Sequence, residues 1–152
     1  MSYKNQVLLT IKKIANGGIY DHLQGGFARY SVDEEWLVPH FEKMLYDNAL
    51  LVDLFSSVYK THPDPFIKLR VSETVNWLIE VMQTAEGGFA AAIDADSEGI
   101  EGKYYVWDES EIDGILGSQA EKFKNIYGVT KQGNFEGKNI LFLKIPIFFL
   151  IF

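Results

Sequence analysis

The chain has 152 residues, 47% of them apolar, a formal net charge of −7 and no cysteine. That length and apolar share suit one ordinary globular domain rather than a disordered chain. The acidic balance, with Arg29 and Arg70 as the only arginines, excludes the basic face a nucleic-acid binder needs. The lack of cysteine excludes disulfides, thiolate metal sites and thiol catalysis, and a reducing cytoplasm is the expected compartment.

Met1 to Lys13 carries lysines without the unbroken apolar stretch of a signal peptide. Val7, Leu8, Ile11, Ile14 and Ala15 recur at helical spacing, which predicts a helix over Gln6 to Asn16 that stops at Gly17. Gly18 to Tyr30 reads as an irregular loop, extended from Phe27 to Tyr30. Pro39 then sits where a helix can begin, since a first-turn N–H has no intrahelical partner to lose. The helix predicted from Pro39 to about Lys60 has Phe41, Met44, Leu45, Leu51, Val52, Phe55 and Tyr59 on one arc, widened by Leu50 and Leu54. A helix apolar nearly all round is expected to be buried on most sides.

Asp64-Pro65 signals the next start, an N-cap followed by proline, and Ile67, Val71, Val75, Leu78 and Met82 predict an amphipathic helix that stops at Gly87-Gly88. The two helices form a helical hairpin. Phe89 to Ile93 and Lys103 to Trp107 read as two short strands, a β-hairpin insertion around the acidic loop Asp94 to Gly102. Asp108 and Glu111 are spaced as a capping box for a helix to Leu116. Another helix is predicted over Ser118 to Tyr127, followed by a polar turn region to Gly137. Gly25-Gly26-Phe27 and Gly87-Gly88-Phe89 form a weak internal repeat, of the kind that lets supersecondary units stack on a shared core.

From Ile140 to Phe152 only Lys144 and Pro146 interrupt the apolar run, and six of the last eight residues are Ile or Phe. The stretch falls short of the roughly 20 residues a spanning helix needs, so no membrane span is expected. It reads as a strand or core segment of a larger protein, a membrane-touching tail, or an out-of-frame end, and its composition favours the last.

Chemistry-bearing side chains concentrate between Gly17 and Asn48. His40, Lys43 and Asp47 would share a stripe on the first turns of the predicted helix, in the positive field of its N-terminus. His40 there suits a general acid/base, with Glu42 or Asp47 fixing its tautomer. The competing reading is a buried hydrogen-bond network that sets the register of the hairpin. Asp21-His22, between glycines, suits acid/base chemistry, orientation of a sugar hydroxyl, or simply a loop-fixing bond. Arg29 with Tyr30 either clamps a hydroxyl-rich or anionic ligand or pairs with Asp33 or Glu34. Trp36 is the tryptophan best placed to stack on a sugar, whereas Trp77 and Trp107 read as core. Asp94 and Asp96 begin like a calcium loop, but the twelfth position is Tyr105 rather than the bidentate Glu required. They are left to bind loop backbone or ligand hydroxyls. No metal set and no cofactor motif emerges.

Asn16 to Leu23, Gly25 to Asp33, Trp36, Val38 to Leu50, Asp94 to Glu98 and Glu101 to Trp107 together resemble the thioredoxin-domain-containing family related to spermatogenesis-associated protein 20. The resemblance covers residues 5 to 142. It implies part of an (α/α)6 toroid like those of N-acylglucosamine 2-epimerases and six-hairpin glycosidases. The thioredoxin-like domain of such proteins is absent from this chain, and Gln24 stands where the first glycine of a triple is usual. By that resemblance residues 1–141 are one partial toroid domain and 142–152 an apolar tail of non-family character, and the chain is an incomplete fragment, inactive alone, of a protein that binds a saccharide or polyol. His40, His22, Asp21 and Glu42 would be its catalytic candidates, and Arg29, Tyr30, Trp36, Lys43, Asp47, Asp94 and Asp96 its binding shell. The missing parts of the same toroid would be its partners. A non-catalytic binding or structural module, or a split reading frame without independent function, are the alternatives.

Overall fold

A computed structural model describes residues 2–144. In chain order the elements are α1 (Tyr3–Asn16), β1 (Tyr30–Ser31), β2 (Pro39–His40), β3 (Lys43–Met44), α2 (Leu45–Thr61), α3 (Pro65–Trp77), β4 (Ala92–Ile93), β5 (Asp96–Ser97), β6 (Ile100–Glu101), β7 (Val106–Trp107), α4 (Glu109–Leu116), α5 (Ala120–Tyr127) and β8 (Asn139–Ile140). The fold is mainly helical, with short two-stranded antiparallel ladders joining the loops: β1 with β2, β3 with β4, β5 with β6, and β7 with β8. Among the described residues no helix is long and apolar enough to cross a membrane. Of the tail 142–152, residues 145–152 lie outside the described range. Leu143 is buried in the helical core, and its N–H donates to the Asn16 carbonyl.

Helix α1 begins where the Ser2 hydroxyl accepts the Asn5 N–H and ends as expected at Gly17. The Asp64 cap and Pro65 start α3 as the sequence predicts, and both halves of the Asp108–Glu111 capping box are present on α4. Ile11 and Ala15 of α1, Phe55 of α2, and Phe66 and Ile67 of α3 close one core with Tyr20, Phe27 and Leu143. A second core joins Ile112, Ala120, Val129 and Leu141, and a third joins Phe41, Ala95 and Ile140.

Three expectations are corrected. The helix predicted from Pro39 begins only at Leu45, and residues 39–44 are extended. The helical wheel misled because this segment alternates with period two: Pro39, Phe41 and Lys43 are buried, while His40, Glu42 and Met44 are half-exposed. Its backbone groups pair instead with Tyr30, Arg29 and, further on, Ile93. Second, α3 does not reach Gly87-Gly88; it passes into one π-helical turn, Leu78–Met82, and ends there. Third, the strands near Ile93 and Trp107 do not pair with each other. Ile93 pairs with Lys43 and Trp107 with Asn139, while the tight hairpin lies inside the acidic loop itself.

The wide apolar arc of α2 is only partly covered. Phe55 is buried, whereas Leu50 is 68% and Leu54 45% exposed. Asn48, fully buried, ties the helix start to the glycine loop. Its amide oxygen accepts the Phe27 N–H at 2.7 Å, and its amide nitrogen donates to the Phe27 and Met44 carbonyls, each at 2.9 Å.

Candidate functional site

The alternation of residues 39–43 divides the candidate side chains between two sides of one extended segment. Pro39, Phe41 and Lys43 face a cavity of about 420 Å³, lined also by Asp21, Tyr105, Trp107 and Glu111. His40 and Glu42 point away from it, toward Arg29 and the acidic hairpin. His40, Lys43 and Asp47 therefore do not form one helical stripe.

At the cavity floor the Lys43 ammonium donates to Asp21 Oδ2 at 2.8 Å and to the Gly25 carbonyl at 2.9 Å. It lies 4.9 Å from the ring centres of both Trp77 and Tyr105. Burial lowers the Lys43 pKa, and the Asp21 charge and hydrogen bond oppose that shift. The other oxygen of Asp21 accepts the Leu23 and Gln24 N–H groups, so this carboxylate also shapes its own loop. Burial pushes the Tyr105 phenol up to about 12, with the Asp21 charge adding to it.

His22 is held by internal partners at both nitrogens. Nε2 faces the Gly17 carbonyl at 2.9 Å and Nδ1 faces the Arg70 guanidinium at 3.2 Å. A carbonyl only accepts and a guanidinium only donates, so Nε2 carries the proton and the ring is neutral. Burial first, and the Arg70 charge second, push its pKa down to about 3. Arg70 also donates to the Ala15 carbonyl at 3.0 Å, at the end of α1, and to Glu73 at 2.5 Å, while Tyr20 donates to the same Glu73 oxygen at 2.7 Å. This network ties α1, the glycine loop and α3 together.

On the other side, His40 Nδ1 lies 2.8 Å from Glu101 Oε1. Since a carboxylate only accepts, Nδ1 carries the proton of this bond. The Nε2 atom is 3.8 Å from Glu42 Oε2, which accepts from Arg29 Nη1 at 3.0 Å. Tyr30 stacks on the imidazole with centroids 5.0 Å apart and planes 22° from parallel. The His40 side chain is 30% exposed, so the ring is held without being sealed from solvent. Asp47, in the first turn of α2, has one buried carboxylate oxygen with no hydrogen-bond partner among the described residues. Burial raises its pKa, Arg29 opposes that and Glu42 adds to it.

The remaining candidates lie outside both groups of contacts or at their margin. Trp36 adopts φ +65 and supplies a carbonyl to the Ile19 N–H, and it does not line the cavity. Asp94 accepts the Asp96 N–H, and Asp96 stands opposite Glu101 in the hairpin ladder. Arg29 pairs with Glu42 rather than with Asp33 or Glu34. Asp33 instead accepts the N–H groups of Glu35, Leu37 and Val38 and closes the β1–β2 turn. Among the described residues no group of three or more His, Asp or Glu is placed to hold a metal ion.

Sequence reasoning missed Glu101, Tyr105 and Trp107 as neighbours of these groups. Glu101 meets His40 across 61 residues and no local pattern announces it. Arg70 did leave a signal, a lone arginine between Ile67, Val71 and Thr74 on the inner face of α3.

No family model matches the chain. It is 34% identical to human spermatogenesis-associated protein 20 over a gapped alignment that covers 95% of this chain and 22% of that protein. It is 40% identical to the mouse protein of the same name over 119 residues, 74% of this chain and 15% of the relative. An uncharacterized Caenorhabditis elegans protein is 39% identical over 120 residues, 72% of this chain and 16% of that protein. The chain is homologous to spermatogenesis-associated protein 20 over most of its own length, and it spans about a fifth or less of the relatives it matches.

Proposed function

We propose that the chain is part of a carbohydrate-active protein built on an (α/α)6 toroid, with an acid–base centre at His40. Residues 1–141 would be a partial toroid domain, completed by helices that this chain does not contain. The observation that carries the reading is the held but partly exposed imidazole: Nδ1 on Glu101, Tyr30 against one face, and Nε2 3.8 Å from Glu42. A carboxylate that stabilises the imidazolium lets Nε2 accept a proton from a substrate and return it. Arg29 and Glu42, both partly exposed beside His40, supply further hydrogen-bonding groups suited to the hydroxyls of a saccharide or polyol.

A second reading, a binding or structural module without catalysis, is favoured by a different observation. Asp21, His22 and Lys43 spend their polar atoms on internal bonds. They hold the loop rather than face a ligand.

The test is a sugar-library thermal-shift screen on a full-length relative and on its counterpart of His40→Ala. The expected outcome is a shift with at least one saccharide or polyol, lost in the variant, with the ligand-free transition unchanged. Absence of any shift, or unfolding of the variant with no separable loss of binding, favours the second reading.

A further inference from the structure

We propose that Glu101 is the positioning residue of His40: it selects the Nδ1–H tautomer, so that Nε2, on the Glu42 side, is the nitrogen left to accept a proton. The proposal rests on the reading of His40 as the acid–base group. An imidazole left to itself in water favours the opposite, Nε2–H tautomer. Reversing that preference takes an acceptor fixed at Nδ1, and Glu101 Oε1 stands there at 2.8 Å.

The delivery of Glu101 to that place is built into the backbone. β5 and β6 form a tight hairpin whose two turn residues, Glu98 and Gly99, adopt φ +56 and +76, as a primed turn requires. Gly102, the residue after β6, has φ +72 and donates to the Ala95 carbonyl at 2.9 Å. A Cβ added at Gly102 would lie 2.4 Å from the Phe41 ring. Glycine therefore lets the hairpin backbone press on Phe41, and the residues just before each of these two, Glu101 and His40, meet as a consequence. Tyr30, opposite His40 in the β1–β2 ladder, restrains the ring by stacking. The hydrogen bond by itself is exposed and contributes little stability; its effect is on which nitrogen carries the proton.

Long-range nitrogen–proton correlation on the 152-residue chain, labelled with 15N-histidine and held above the imidazole titration range, reads the tautomer of each of the three histidines. His40 is expected as Nδ1–H and His22 as Nε2–H, so the two ring types appear in one spectrum. Glu101→Ala should abolish the Nδ1–H signature of His40 and leave that of His22 in place, which also shows that the fold persists. Glu101→Gln keeps a carbonyl oxygen that can accept from Nδ1, and should retain it. An Nε2–H signature for His40 in the unaltered chain, or an Nδ1–H signature that survives Glu101→Ala, would overturn the proposal. The tautomer is read without any ligand, so failure of the sugar screen leaves this result intact, and the converse holds as well.

Discussion

The Lys43 ammonium lies 2.8 Å from the Asp21 carboxylate, and their side chains are 2% and 11% exposed. This buried ion pair fastens β3 to the loop that carries His22 and the first diglycine. Removing one partner leaves the other charged in a poor dielectric, whereas removing both leaves no charge to solvate. Asp21→Asn keeps an acceptor for the Leu23 and Gln24 N–H groups, so it isolates the charge. It should cost about 3 kcal/mol or more. Lys43→Met should cost less, because the Asp21 carboxylate keeps two backbone donors. The double variant should cost less than the sum of the two. A double-mutant cycle by denaturant unfolding measures this coupling, and additive costs would mean that the pair is not an energetic unit.

His22 makes stability depend on pH in a stated direction. Its folded pKa is about 3, against 6.5 for a free imidazole, because burial and Arg70 disfavour the charged ring. The unfolded chain therefore binds a proton below pH 6.5 that the folded chain refuses, so stability falls as pH falls through that window. Between about pH 6.5 and 4.5 this amounts to roughly 2 kcal/mol. Asp47, whose carboxyl pKa burial raises, contributes with the opposite sign. The difference between the unaltered chain and His22→Gln removes that contribution. Unfolding curves across the window should show the steeper decline only where His22 is present, and parallel declines would contradict a neutral His22.

What the sequence made legible, and what it did not, follows the range of the interactions. Helix starts governed by one or two neighbouring residues were readable: Asp64-Pro65 and the Asp108–Glu111 box act within a single turn. The start of α2 was not, because Pro39 opens a strand as readily as a helix and the deciding partners, Tyr30 and Ile93, lie far along the chain. The density of polar groups around His40 was visible, but its division into two sides depended on strand alternation in a segment read as helical. Glu101 was invisible for the same reason, since only tertiary structure brings the acidic hairpin to His40. The diglycine repeat was visible and has a structural counterpart. Phe27 forms an isolated bridge with Tyr20, and Phe89 forms one with Gln83.

That repeat supplies a last prediction, because its two halves differ in their surroundings. Gly26 has φ +81 and Gly87 has φ +84, so an alanine at either place meets backbone strain. At Gly26 the added Cβ would lie 2.6 Å from the Trp77 ring, whereas at Gly87 nothing stands within 4 Å. Trp77 is 1% exposed and also forms one wall around Lys43, so it has little room to yield. Gly87→Ala should therefore cost about 1 kcal/mol, the backbone contribution alone. Gly26→Ala should cost about 2 to 4 kcal/mol, with overpacking added to the backbone strain. Denaturant unfolding of the two variants side by side gives the difference. Equal losses would show that the approach of the first diglycine to Trp77 does not hold the loop, and with it the placement of Asp21 and His22, in position.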